Sequence, residues 1–181
     1  KNGEDRAVKR GEIVIRRGEM ADIPWLKPIE RAATGRFRGH PAFESFWAQD
    51  FAPELFAQHV RDRTLWVVTI DDGPPVGMAF TSEIDGLAHL EEIDVHPDVA
   101  GKGIGSELLE AVVGIAQVSG YAAITLATLT DVPWNAPFYA KRGFRILGDH
   151  ELTPGLVQLQ RREAAGGFPM HLRVIMRREL Q

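Results

Sequence analysis

Apolar and polar residues alternate along EIVIRR, Glu12 to Arg17, which is the period of a half-buried strand. The same signal, richer in β-branched residues, returns at LWVVTI (Leu65 to Ile70), VGMAFTSEI (Val76 to Ile84) and AHLEEIDV (Ala88 to Val95). DDGPP from Asp71 to Pro75 and the Asp85-Gly86 pair supply turn chemistry between these runs, so a hairpin extending into three successive strands is predicted. Between the first two strands the period changes. Asp22 offers an N-cap and Pro24 suits the first turn of a helical segment reaching Ala33, which Pro28 is expected to bend or interrupt. GRFRGHP, Gly35 to Pro41, reads as a loop, and Ala42 to Arg61 as one or two amphipathic helical pieces broken near Pro53.

After Val95 the chain passes through HPDVAGKGIGS into a segment where Ile104, Leu108, Val112, Ile115 and Ala116 follow helical spacing until Gly120. AAITLATL, Ala122 to Leu129, is a buried strand, and the order strand, loop, helix, strand implies a right-handed parallel crossover. Trp134 to Lys141 forms a short helix stopped by Gly143, and Phe144 to Leu147 a further strand. Thr153 to Gly167 is a capped helix placed before a last strand that starts at His171. The pattern describes a mixed α/β chain without internal repeats.

Composition narrows the chemistry. With 181 residues and 44% apolar content the chain suffices for one core, and 1–181 is read as a single domain with 1–11 as a flexible extension. A net charge of -4 with scattered Lys and Arg argues against a nucleic-acid partner. The lack of cysteine excludes disulfides, thiol catalysis and Cys-ligated zinc, and is in keeping with a cytoplasmic location. No H-E-x-x-H or comparable ligand set accompanies His89 or His96, so no metal is expected. The apolar runs are strand-sized, and no membrane association is expected. The chain does not open on methionine, and whether residues precede Lys1 is left open.

The glycine loop is the most specific feature. Backbone N–H groups in a turn without side chains, followed at once by a helix N-terminus, suit a phosphate; the alternative is a strand-to-helix turn that needs positive φ. A P-loop places Lys after the last glycine, whereas GKGIGS has it second, and a G-x-G-x-x-G dinucleotide fingerprint is not met. EEIDVHPDVAGKGIGSELLEAV resembles the acetyl-CoA motif of the GNAT N-acetyltransferase superfamily, and WNAPFYAKRGF, Trp134 to Phe144, is similar to that family's second motif. The resemblance covers about residues 12 to 180 as topology and Leu90 to Phe144 in motif detail. Two positions depart from the pattern: the usual Gln or Arg slot is Ala100, and Asn135 stands three residues before Phe138, where many members have a small residue.

That resemblance implies a fold, a cofactor and a reaction. The fold is a mostly antiparallel sheet of six to seven strands flanked by helices, with a splayed parallel pair at its fourth and fifth strands. Acetyl-CoA is the implied cofactor, contacted by Ile93, Asp94 and Val95 on the splayed strand, by the loop residues Ala100, Gly101, Lys102, Gly103, Ile104, Gly105 and Ser106, and by Asn135 and Phe138. The implied reaction is direct acetyl transfer to the primary amine of a small molecule or a peptide. Tyr139 is the expected general acid, and the base is Glu91 or, second, Glu92, which lie on opposite faces of an ideal strand. Arg36, Arg38 and Trp134 are expected acceptor contacts, a homodimer is left open, and a non-catalytic acyl-CoA-binding module is the alternative function.

Overall fold

A computed structural model describes residues 11–181, so the extension expected over 1–11 lies, apart from Gly11, outside the described residues. Among the described residues a seven-stranded sheet runs in the order β1-β2-β3-β4-β5-β7-β6, with β1 at Ile13–Arg17, β2 at Leu65–Ile70, β3 at Pro75–Ile84, β4 at Leu87–Val95, β5 at Ala123–Leu129, β6 at Arg145–Ile146 and β7 at Arg173–Glu179. All neighbours are antiparallel except β4 and β5. The β3–β4 hairpin closes on Asp85 and Gly86, both at positive φ (51° and 78°), the backbone twist a two-residue hairpin favours.

Helices cover the sheet: α1 (Ile23–Thr34), α2 (Phe43–Ala48), α3 (Pro53–Arg61), α4 (Ile104–Val118), α5 (Ala136–Ala140) and α6 (Pro154–Ala165). Strand alternation sorts them by face. Trp66, Val68, Ala79, Leu90, Leu126 and Met176 pack against Leu108, Val112 and Val113 of α4. Their neighbours Val67, Met78 and Phe80 point the other way, onto Leu26 of α1 and Phe56 of α3, while Ile175 joins Leu156 and Leu159 of α6. Thus α1 and α6 share one face and flank the line between β4 and β5. There the sheet opens: β4 pairs with β5 only over Ala88–Leu90 against Ile124–Leu126, although the strands continue to Val95 and Leu129.

Two local expectations change. Asp22 is not the side-chain cap of α1; its carboxylate accepts the Glu19 amide at 2.8 Å, closing the preceding turn, and takes the Arg16 guanidinium through both oxygens at 2.7 and 2.9 Å. Pro28 lies inside α1 without ending it. The lost amide donor is outweighed by seating Leu26 and Ile29, 0% and 3% exposed, in the core. Among the described residues, no helix is long and apolar enough to cross a membrane.

Candidate active site

A cleft of about 800 Å³ runs from the start of α4, through the opening between β4 and β5, to the groove between α1–α2 and α6. Its first end is the glycine loop. Gly101 and Gly103 have φ of 78° and 80°, where an L side chain is strained, and Gly103 is the N-cap of α4. A Cβ on Gly101 would have no protein atom within 4 Å, so conformation rather than internal packing calls for this glycine. Gly105 already belongs to α4, and a Cβ there would only touch Val95 Cγ2 at 3.8 Å. Buried Ile104 anchors the helix start, and the first amides of this 15-residue helix have no carbonyl one turn earlier. Free amides, a helix dipole and a loop without side chains fit a pyrophosphate bound through backbone, as an alanine at position 100 requires.

Ala100, Gly101, Gly103, Ile104, Gly105 and Ser106 all line the cleft, whereas Lys102 and Lys141 do not. The cationic side chain at this end is Arg142, which the motif pattern does not single out. It donates to the Phe138 carbonyl at 2.9 Å and to Ser106 Oγ, and its guanidinium lies 3.7 Å from the Phe138 ring centroid. The spacing of four residues from Phe138 is the signal the sequence holds for it. Asn135 also borders the cleft, but its Oδ1 serves the fold, accepting from Thr128 Oγ1 at 2.8 Å and the Leu129 amide at 3.4 Å. A Gly103→Pro variant is expected to lose at least about tenfold in CoA affinity, because proline holds φ near about −65°, while Lys102→Ala stays within about twofold; titration calorimetry reads both.

The centre of the cleft is set by a bulge in β4. Phe80 stands opposite Glu92 and Thr81 opposite Leu90, so Glu91 is the extra residue. Consequently Leu90 and Ile93, three apart, both face the α4 core, and Glu91 and Glu92 both line the cleft instead of opposing each other. Their surroundings differ. Glu91 is exposed and accepts a hydrogen bond from Ser82 Oγ at 2.5 Å. Burial pushes the Glu92 carboxyl up to about 7, with the charge of Glu30 adding to the shift and Arg173 opposing it. Asp94 is held well above its ordinary value, first by burial and then by Glu92 and Glu30, and its Oδ2 is buried without a hydrogen-bond partner among the described residues.

Tyr139 borders the same space from α5. It is buried, packed edge-on to Phe138 and Phe144 at 5.2 and 5.8 Å between ring centroids. Burial raises its phenol above the ordinary value, and Glu92 and Asp94 raise it further, so the hydroxyl keeps its proton.

The far end is aromatic. Trp134, Phe37, Phe46 and Phe168 form a file with successive centroids 5.7, 4.8 and 4.9 Å apart. Arg36 stacks on Trp134 at 4.3 Å. At the other extreme Arg173 lies 4.8 Å from the Phe168 ring and is held by Glu163 at 2.7 and 3.1 Å, both side chains under a tenth exposed. Arg38, an expected acceptor contact, is turned instead over Phe43 and Trp47 and is not part of the lining. His40 ties this loop down: Nδ1 accepts the Ala42 amide at 3.0 Å, which leaves Nε2 to donate to Asp131 at 3.0 Å. His89 is a buried floor residue whose Nδ1 meets Thr125 Oγ1 at 2.8 Å, and burial lowers its pKa.

Comparison with known proteins agrees with this geometry. Residues 31–144 match the acetyltransferase (GNAT) family. The chain is 31% identical over 100 residues to the peptidyl-lysine N-acetyltransferase YjaB of Salmonella typhimurium, covering 55% of this chain and 62% of that relative, less than two thirds of its length. It is 32% identical over 113 residues to the uncharacterized N-acetyltransferase YjcF of Bacillus subtilis, covering 62% and 79%. The PaiA N-acetyltransferase of Thermoplasma acidophilum, solved in complex with coenzyme A, superposes with a TM-score of 0.68 at 18% identity over 93% of this chain and 99% of that one, a likeness of fold. With half or more of its length matched, and with the cradle and the opened strand pair in place, the chain belongs to the acetyltransferase (GNAT) family.

Proposed function

We propose that this protein transfers the acetyl group of acetyl-CoA to the primary amine of a small molecule or peptide, by direct attack within a ternary complex. The observation that carries the reading is the meeting, in one cleft, of the glycine cradle, the stretch of β4 that has parted from β5 and two groups of opposite proton preference, Glu92 and Tyr139. Acetyl-CoA, when bound, supplies an acetyl thioester whose carbonyl carbon is attacked by the amine and whose sulfur leaves.

Each remaining task falls to a residue of the chain. The amides at the start of α4, with Arg142 beside them, hold the diphosphate, and the amides of β4 beyond Leu90 are free of β5 to meet the thioester arm. Glu92, titrating at about 7, takes the proton that the attacking nitrogen must lose. Tyr139, kept protonated by burial, donates its phenolic proton to the departing sulfur. Glu30, and after it Glu91, raise Glu92 further by adding charge beside the same desolvated carboxyl. Glu91, exposed beside Ser82, acts as a surface carboxylate at the cleft rim.

The test joins binding to turnover. Saturating CoA is expected to raise Tm, and a panel of amines at about pH 8 to yield acetylated product together with stoichiometric free thiol. A Tm shift without product from any amine would leave a CoA-binding module. No shift at all would sink the cofactor assignment itself.

A further inference from the structure

Taking the transferase reading as its basis, we infer that the acceptor is an amine carrying a carboxylate on an aromatic or large apolar body, an amino acid or short peptide with a free C-terminus, and that Arg36 binds the carboxylate.

Among the described residues, the cations that reach the cleft are Arg36, Arg142, Arg162 and Arg173. Arg173 is neutralised by Glu163 in a buried two-pronged pair. Arg142 belongs to the cofactor end, bonded to Ser106. Arg36 and Arg162 remain, and neither has a carboxylate partner among the described residues; the charge of Arg162 acts on His89 together with those of Glu163 and Arg173, so Arg36 is the cation of the Trp134 end. The two arginines come from the two walls of the groove, Arg36 from the turn after α1 and Arg162 from α6.

An exposed arginine is usually only solvated. Arg36 differs because its guanidinium carbon lies 4.3 Å from the Trp134 ring centroid, a cation–π contact that holds the head group at the groove while its N–H donors can still take a planar carboxylate. Trp134 in turn heads the aromatic file through Phe37 and Phe46 to Phe168, beside the paired Arg173 whose charge reaches Glu92. The groove therefore has a proton-accepting carboxylate at the transfer end, rings along its length and unpaired guanidinium at the other end. Amine, apolar body and anionic group match that order. A lysine side chain entering from a large protein would bring an alkyl stem to the rings and nothing to Arg36.

The experiment compares acids with neutral counterparts: phenylalanylglycine against phenylalanylglycinamide, L-tryptophan against tryptamine, and a lysine peptide blocked at both termini, with acetylated product identified by mass. At least one acid is expected to exceed its counterpart by about tenfold or more in kcat/KM, and Arg36→Gln to bring that ratio to within about twofold of one. In the presence of CoA the same acid should raise Tm more than its neutral partner in the wild type, and equally in Arg36→Gln. The inference is overturned if the blocked lysine peptide or the neutral amines match every acid, or if Arg36→Gln lowers acid and counterpart alike. In those cases acetyl transfer itself still stands, whereas failure to acetylate any amine would remove both readings.

Discussion

A Glu92→Gln enzyme is expected to lose about 100-fold in kcat and, with it, the acid limb of the pH profile. In the wild type the carboxylate must be ionised to take the proton, so kcat at saturating acceptor should fall as pH drops through about 7, where burial and Glu30 place this group. Glutamine keeps the shape of the side chain and removes the titration. Glu91→Gln should retain both the limb and the rate to within about threefold, because Glu91 sits exposed at the bulge beside Ser82. A limb near neutrality that survives in Glu92→Gln would return the base to Glu91 or to solvent.

The same substitution has a sign in stability. The folded value of Glu92, about 7, exceeds its ordinary value of 4.5, so the native state binds more protons than the unfolded chain between those limits. This contribution is whole below the ordinary value and is lost as pH rises through about 7. Urea denaturation from about pH 5 to about pH 8 should therefore show a smaller decline for Glu92→Gln than for the wild type. An activity loss accompanied by relief of that decline would mark a functional acid kept at a cost to the fold.

Removal of the Tyr139 hydroxyl in Tyr139→Phe is expected to lower kcat by at least about tenfold while CoA affinity stays within about twofold. Phenylalanine preserves the edge-on packing against Phe138 and Phe144, so Tm should hardly move. Tyr121, the other tyrosine of the chain, donates to Glu83 at 2.9 Å and does not border the cleft, which makes Tyr121→Phe the matched control. Equal turnover in Tyr139→Phe would leave the sulfur to be protonated by water. Because the phenol is raised rather than lowered, no basic limb from its ionisation is expected in the neutral range.

Much of this site is visible in local sequence. The alternation of EIVIRR and AHLEEIDV, the helical spacing from Ile104, the Asp85-Gly86 turn and the alternate glycines before α4 are all short-range signals, and each appears where its period or turn chemistry puts it. The misplacements share a non-local cause. Asp22 has the sequence of a cap, but the partner that claims it, Arg16, lies on β1. Lys102 stands inside the glycine motif, yet Arg142 is the cation brought to Ser106, and Arg38 packs on Trp47 instead of entering the groove.

By itself, the sequence determined the order of elements and the backbone cradle, because period, turn preference and glycine conformation are properties of a few adjacent residues. Which acid is desolvated was decided only by the tertiary structure. A bulge opposite Phe80 and Thr81 turns Glu91 and Glu92 into the same cleft, and Glu30 from α1 then shares the buried region with Glu92 and Asp94. Arg36 and Trp134, 98 positions apart by their numbers, form one end of the groove only because the fold brings the turn after α1 against the loop before α5. Burial and pairing are sums over neighbours in space, and no local reading of the chain contains them.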